Sequence, residues 1–279
     1  MSSGNLRRGR VSDEQLTRLA AHLTGRDRQI ALDCYEHTVL TTGQLGRLHF
    51  TGIAEQTARR RLLMLYELRV LDRFRPLLPR GQGSAPHYWV LDEAGAHIVA
   101  AEHQIPRAEL RYQHAAALSV ADSIKLTHHI EVNEFFCRLH ADAARAGGKL
   151  AEWYGERTLH RFFHGRLAPD SYGVLRLPDQ PAIHLLLELD RGTETSQRLR
   201  EKAARYASAL PRSTLREHDP LVILTVPSAA RAETATTAIA DTGAPITVVV
   251  WSAAATRSTF QVVTDAASRN TQRAAVPNV

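Results

Sequence analysis

Lysine is nearly missing from this chain. Of its 35 basic residues only Lys125, Lys149 and Lys202 are lysines, and the others are arginines. With so much alanine beside it, this preference reads as the codon bias of a GC-rich genome rather than as chemistry. Cysteine is as scarce. Cys34 and Cys137 are the two present; they lie far apart, each inside a helical pattern, and read as reduced residues of a cytoplasmic protein rather than a disulfide framework. Long apolar runs are lacking, so no segment reads as a membrane span and no membrane partner is expected. The opening MSSGNLRRGR is basic but has no apolar core, so residues 1–11 read as a flexible arm and not a secretion signal. A glycine-rich phosphate loop is also missing, because RGQGSAP at 80–86 has neither a third glycine nor a GK[ST] ending.

What is present fits two domains. The 279 residues are 44% hydrophobic, with a net charge of +6 and an isoelectric point near 9.7. Residues 1–112 carry 16 Lys+Arg against 12 Asp+Glu, and residues 113–279 carry 19 against 17. The more basic front points toward a polyanion.

In the front half Ser12 is placed to cap a helix, a second helix runs from about Arg26 to His37, and TTGQLGRLHF begins a short third one. Residues 54–69 form a longer helix, with Ala58, Leu62 and Leu65 on its apolar face and Gln56, Thr57, Arg59, Arg60 and Arg61 on its exposed N-terminal half. Two strands follow around the PRGQGSAP loop, and Asp92 caps another helix. This order resembles a winged helix-turn-helix domain over residues 12–112. The resemblance implies double-stranded DNA as partner. The arginine-bearing helix would read the major groove, and Arg73, Arg75 and Arg80 on the wing would reach the backbone. A solvated basic face and a protein-docking role are the competing readings of the same residues.

Residues 123–145 form a long amphipathic helix, ended by Ala146-Gly147-Gly148. Beyond it, the pattern is strand, hairpin, helix, strand, helix, strand, which predicts a mixed sheet with helices on its faces and an α/β (α+β) class over residues 113–262. Residues 263–279 read as a polar tail. The hairpin turns at Pro178-Asp179; setting position 177 against 182 puts Glu188 opposite residue 171 and Asp190 opposite 169, with Asp170 between them. Glu188 and Asp190 share a strand face, so three carboxylates converge at the open end of the hairpin. Thr193 is placed to cap the next helix, whose stripe is Leu199, Ala203, Tyr206 and Leu210.

The Pro169-Asp170 pair, Glu188 and the following helix resemble the PD-(D/E)xK nuclease superfamily, whose fold is that of the restriction endonucleases. The resemblance implies a Mg²⁺ site, with Mn²⁺ as substitute, held by Asp170, Glu188 and Asp190. The lysine expected two positions after Glu188 is replaced by Asp190, which leaves Lys202 on the next helix for that role. The whole chain, with its ELDRGTE and REKAARY segments, resembles the replication-relaxation family over most of residues 12–255. That resemblance implies a role in plasmid or mobile-element replication or transfer. His128-His129 and His160…His164 have partial metal spacing but no surrounding ligand set, and read as surface or core histidines. Two functions follow. One is a metal-dependent DNA nickase or endonuclease with catalytic Asp170, Glu188, Asp190 and Lys202. The other is a non-catalytic DNA-binding regulator or replication accessory with a degenerate nuclease fold and no cofactor. A homodimer, and contacts with other replication or transfer proteins, are compatible with both.

Overall fold

The computed structural model describes residues 11–76 and 84–274. Residues 1–10 of the basic arm and Arg80 lie outside the described residues, while Val11, expected to end that arm, is buried. The chain divides into two compact units between Leu126 and Thr127, later than the expected boundary at residue 112. The reason is visible just past that position. The Tyr112 hydroxyl donates to the Leu91 carbonyl, and His114 pairs with Asp72 at 3.0 Å, so this stretch packs onto the first unit.

The first unit opens with α1 (Asp13–His22) and α2 (Gly25–Glu36). Each starts at a capping box, Ser12 with Gln15 and Thr24 with Asp27. Strand β1 (Leu40–Thr41) runs into α3 (Thr42–His49), where Thr41 and Gln44 form a third box. Then come α4 (Glu55–Glu67), β2 (Leu71–Phe74), β3 (Tyr88–Leu91), α5 (Glu93–Glu102) and α6 (His114–Leu118). The strands make a small antiparallel sheet in the order β1-β3-β2. Ile30, Leu45, Leu62, Leu65, Trp89, Leu91 and Val99 are buried in this unit.

The second unit has α7 (Leu126–Arg145), β4 (Lys149–Gly155), α8 (Glu156–Leu159), β5 (Ser171–Arg176), β6 (Ile183–Leu189), α9 (Ser196–Ala209), β7 (Leu221–Val226), α10 (Ala229–Ile239), β8 (Ile246–Val250) and α11 (Thr259–Ala274). The five strands lie in the order β4-β5-β6-β7-β8, antiparallel through β6 and parallel beyond it. This is the mixed α/β sheet that the element order predicts. Its two faces carry separate cores. Leu185, Leu187 and Leu189 of β6 face α7 and α11, while Leu186 faces Leu199, Ala203 and Tyr206 of α9. The side-chain alternation of a strand therefore sends Glu188 to the α9 face.

Several expectations change. Residues 263–274 are helical, not a loose tail: Val262, Val263 and Ala266 of α11 are buried, and the Asp142 carboxylate of α7 accepts from Thr259 N–H at 2.8 Å and Ser258 Oγ at 2.7 Å. The cap of α9 is Thr195, not Thr193. Ile124, inside the span expected for the long helix, precedes it and is exposed. The hairpin register differs by one residue. Ser171 pairs with Leu187, so one step further Asp170 stands opposite Glu188.

Gly173 on β5 lets α7 sit close to the sheet. A Cβ there would come within 2.6 Å of the Phe136 ring and 3.2 Å of the Glu152 carbonyl. Gly173→Ala is expected to destabilise the chain by about 1–3 kcal/mol through overpacking, read as a lower urea midpoint. An unchanged midpoint would mean that Phe136 moves aside at no cost.

Candidate functional site

The end of β6 collects the chemistry. Asp170, just before β5, has both carboxylate oxygens engaged: Oδ2 accepts from the Leu189 N–H at 2.8 Å, and Oδ1 lies 2.9 Å from His128 Nε2 on α7. The bond to Asp170 raises the proton affinity of His128 above its ordinary value, against the opposing effect of burial. Across the strand pair, Glu188 is buried. Its Oε1 accepts from the Tyr206 hydroxyl at 2.7 Å, and its Oε2 lies 2.9 Å from Lys202 Nζ. Burial pushes the Glu188 pKa up to about 7; the Asp170 charge adds to the rise, and Lys202 and Tyr206 oppose it. Lys202 also bonds Glu194 Oε1 at 2.8 Å. Burial works against its charge, but Glu188 and Glu194 together hold its proton affinity above the ordinary value. Lys202 and Tyr206 are four apart, so one face of α9 supplies both partners of Glu188.

Asp190 does not join this group. It follows β6, is buried, and lies 2.6 Å from Arg231 Nε of α10, while its Oδ1 accepts from the Gly192 N–H at 2.8 Å. The expected third ligand is therefore held in an ion pair that shapes the 190–195 loop. Arg191, next to it in sequence, pairs instead with Glu131 at 3.0 Å. Arg231 also donates to the Glu194 carbonyl, which ties this pair to the residue that contacts Lys202. Sequence reasoning missed both His128 and Arg231. Each acts on an acid about forty residues away (42 for His128 and Asp170, 41 for Arg231 and Asp190), and no local pattern announces it.

In the first unit the α4 residues divide. Gln56, Thr57, Arg59 and Arg60 are exposed, and Arg59 makes an exposed pair with Glu55 one turn back. Arg61 is different: its guanidinium forks onto the buried Asp27 of α2, with Nε 2.8 Å from Oδ1. It joins two helices and is not free to meet a ligand. Arg73 packs 4.7 Å from the Tyr66 ring centre, and Arg75 is exposed.

Among the described residues, three ligand-type atoms within 4.8 Å of one another occur at Asp72, Asp92 and His114. Asp170, Glu188 and Asp190 do not make such a set. The Asp72 group is an ion-pair network that already contains its cations, with His114 3.0 Å from Asp72 and Arg69 3.5 Å from Asp92.

Two outcomes are expected. Arg61→Ala strands the Asp27 charge and should lower stability by about 3 kcal/mol, whereas Arg60→Ala should change it by less than about 0.5 kcal/mol; urea unfolding of both variants checks this. The second concerns pH. The bond to Asp72 raises the His114 pKa above 6.5. The stabilisation it brings is then complete below about 6.5 and is lost as pH rises through the higher folded value. The gap in melting temperature between wild type and His114→Asn should therefore narrow as pH rises above about 6.5. A constant gap would mean a hydrogen bond without a charge.

No described helix is long and apolar enough to cross a membrane. No curated protein and no solved structure matches the chain. The family model described as replication-relaxation matches residues 33–218. That span takes in α3, α4, the three-stranded sheet, α7, the β5–β6 hairpin and α9 with Lys202 and Tyr206. The chain belongs to the replication-relaxation family, and with it to the replication- or relaxation-related functions of plasmids and mobile elements.

Proposed function

We propose that the chain is a DNA nickase or endonuclease of plasmid or mobile-element replication or transfer, aimed at double-stranded DNA by a winged helix in its first unit. One observation carries the catalytic part. Asp170, just before β5, stands opposite Glu188 at the end of β6, and Lys202 of the next helix pairs with Glu188. That is the juxtaposition the PD-(D/E)xK resemblance calls for, with the lysine moved onto α9. The order of α2, α3, α4 and the β2–β3 pair, with Gln56, Thr57 and Arg60 exposed on α4, supports the DNA-binding part.

The residues fit Mg²⁺ or Mn²⁺. Asp170 and Glu188 present hard carboxylate oxygens, and the proton affinity of Glu188 is raised first by burial and then by the Asp170 charge, with Lys202 opposing. Asp170 and Glu188 would hold the cation, which when bound polarises a phosphate oxygen and acidifies a water. Lys202 is placed to offset charge developing on the phosphate. Tyr206 fixes the Glu188 carboxylate, and His128 holds a proton at Asp170 Oδ1. Asp190 serves the loop through Arg231.

A second reading, a non-catalytic DNA-binding regulator or replication accessory, is favoured by one specific observation. Each acid already faces a basic side chain: Asp170 with His128, Glu188 with Lys202, and Asp190 with Arg231. Such closure also suits a site that only holds the fold together.

Cleavage of supercoiled plasmid separates the two. Wild type is expected to nick it with Mg²⁺ or Mn²⁺, and Glu188→Gln to cut at least roughly 100-fold more slowly. Arg60→Ala should weaken duplex binding roughly fivefold or more with its fold intact. Wild type that binds DNA but leaves supercoiled and branched substrates whole would establish the accessory reading.

A further inference from the structure

A pocket of about 300 Å³ lies between α4 and the β2–β3 pair, lined by Thr42, Arg59, Arg73, Arg75, His87 and Trp89 among others. Three arginines therefore line one small space. Arg73 is held in place without a counter-charge. Its guanidinium lies 4.7 Å from the Tyr66 ring centre and 5.7 Å from that of Trp89, and its Nη1 is 3.0 Å from His87 Nε2. Among the described residues no carboxylate pairs with Arg73 or Arg75. Arg59 has one partner, Glu55, and that pair is largely exposed, at 62% and 75%; such pairs hold weakly and part readily.

His87 responds to this field. Burial lowers its pKa to about 4, with Arg73, Arg75 and Arg59 adding to the effect, so at neutral pH the ring is uncharged. With Arg73 donating to Nε2, the ring proton sits on Nδ1, and that nitrogen is buried without a hydrogen-bond partner. The pocket thus gathers three cationic side chains and, among its described lining residues, no carboxylate to match them. Clustering three like charges is unfavourable unless an anion joins them, and planar guanidinium forks match phosphate oxygens two at a time.

We infer that this pocket is a seat for one phosphate group, gripped by Arg59, Arg73 and Arg75. The inference rests on the DNA-binding reading only for the source of that phosphate, a duplex backbone rather than a free nucleotide. The seat itself stands on the pocket.

Inorganic pyrophosphate tests the seat without DNA. The Trp89 indole N–H donates to Thr42 Oγ1 at 2.9 Å on the pocket wall, so its resonance in the full chain reports on occupancy. A saturable shift is expected with pyrophosphate. It should need at least roughly tenfold more ligand in Arg75→Gln, a change at an exposed side chain that leaves the packing alone, and in Arg73→Gln. A duplex oligonucleotide should displace the pyrophosphate. No saturable shift up to about 10 mM, weaker than any useful site, or an unchanged titration in Arg75→Gln, overturns the seat. Pyrophosphate binding without duplex binding upholds the seat and overturns the DNA-binding reading. Duplex binding that leaves pyrophosphate in place overturns the backbone as the source and assigns the seat to a free phosphate-bearing ligand.

Discussion

Taking the Glu188 carboxylate out of water is the constraint around which the second unit is arranged. A carboxylate in apolar surroundings survives as an ion only if donors and opposite charge come with it. Here both come from α9, as the Tyr206 hydroxyl and the Lys202 ammonium. Since these residues are one helical turn apart, satisfying both oxygens of Glu188 fixes how α9 is rotated against the sheet. The same rotation turns Leu199 and Ala203 into the core beneath Leu186. Hydrophobic burial and ion pairing therefore select the same helix orientation.

The pattern repeats along that sheet end. The acids stand on or next to the strands, and each of three helices brings one basic side chain: His128 from α7, Lys202 from α9 and Arg231 from α10. The helices on both faces are tied to the strand ends by charge as well as by apolar contact. Arg231 links two of these pairs, because it holds Asp190 and the Glu194 carbonyl while the Glu194 side chain holds Lys202. The position of Lys202 thus depends on a residue of a different helix that never touches it.

Much of this was legible in the sequence, and the gaps have one cause. The α/β order, the hairpin and the stripe on α9 follow from local periodicity and from Pro178-Asp179. Asp179 does adopt the left-handed turn conformation, at φ 54°. The register was off by one because the way the residues of a loop are shared between its two strands is set by the folded turn and not by composition. Helix α11 was missed because its capping group, Asp142, lies 117 residues before the Thr259 N–H that it accepts. Arg61 looked like its neighbours Arg59 and Arg60, and only the fold reveals that it points at Asp27, 34 residues away. Asp190, His128 and Arg231 follow the same rule: a charge pairs across space, while a sequence displays only its neighbours. The domain boundary moved for the same reason, through the bonds of Tyr112 and His114 to the small sheet.

The scarcity of lysine has a practical consequence for the acidic centre. Lys125 and Lys149 are exposed, whereas Lys202 is partly buried between two carboxylates that hold its proton. Only an uncharged amine acylates, so Lys202 should be the slowest of the three toward an amine-directed reagent. Any occupant that draws Glu188 away from it weakens that protection and speeds labelling at this one position. The chain therefore carries a built-in chemical reporter at its centre, set against a background of two freely reactive side chains.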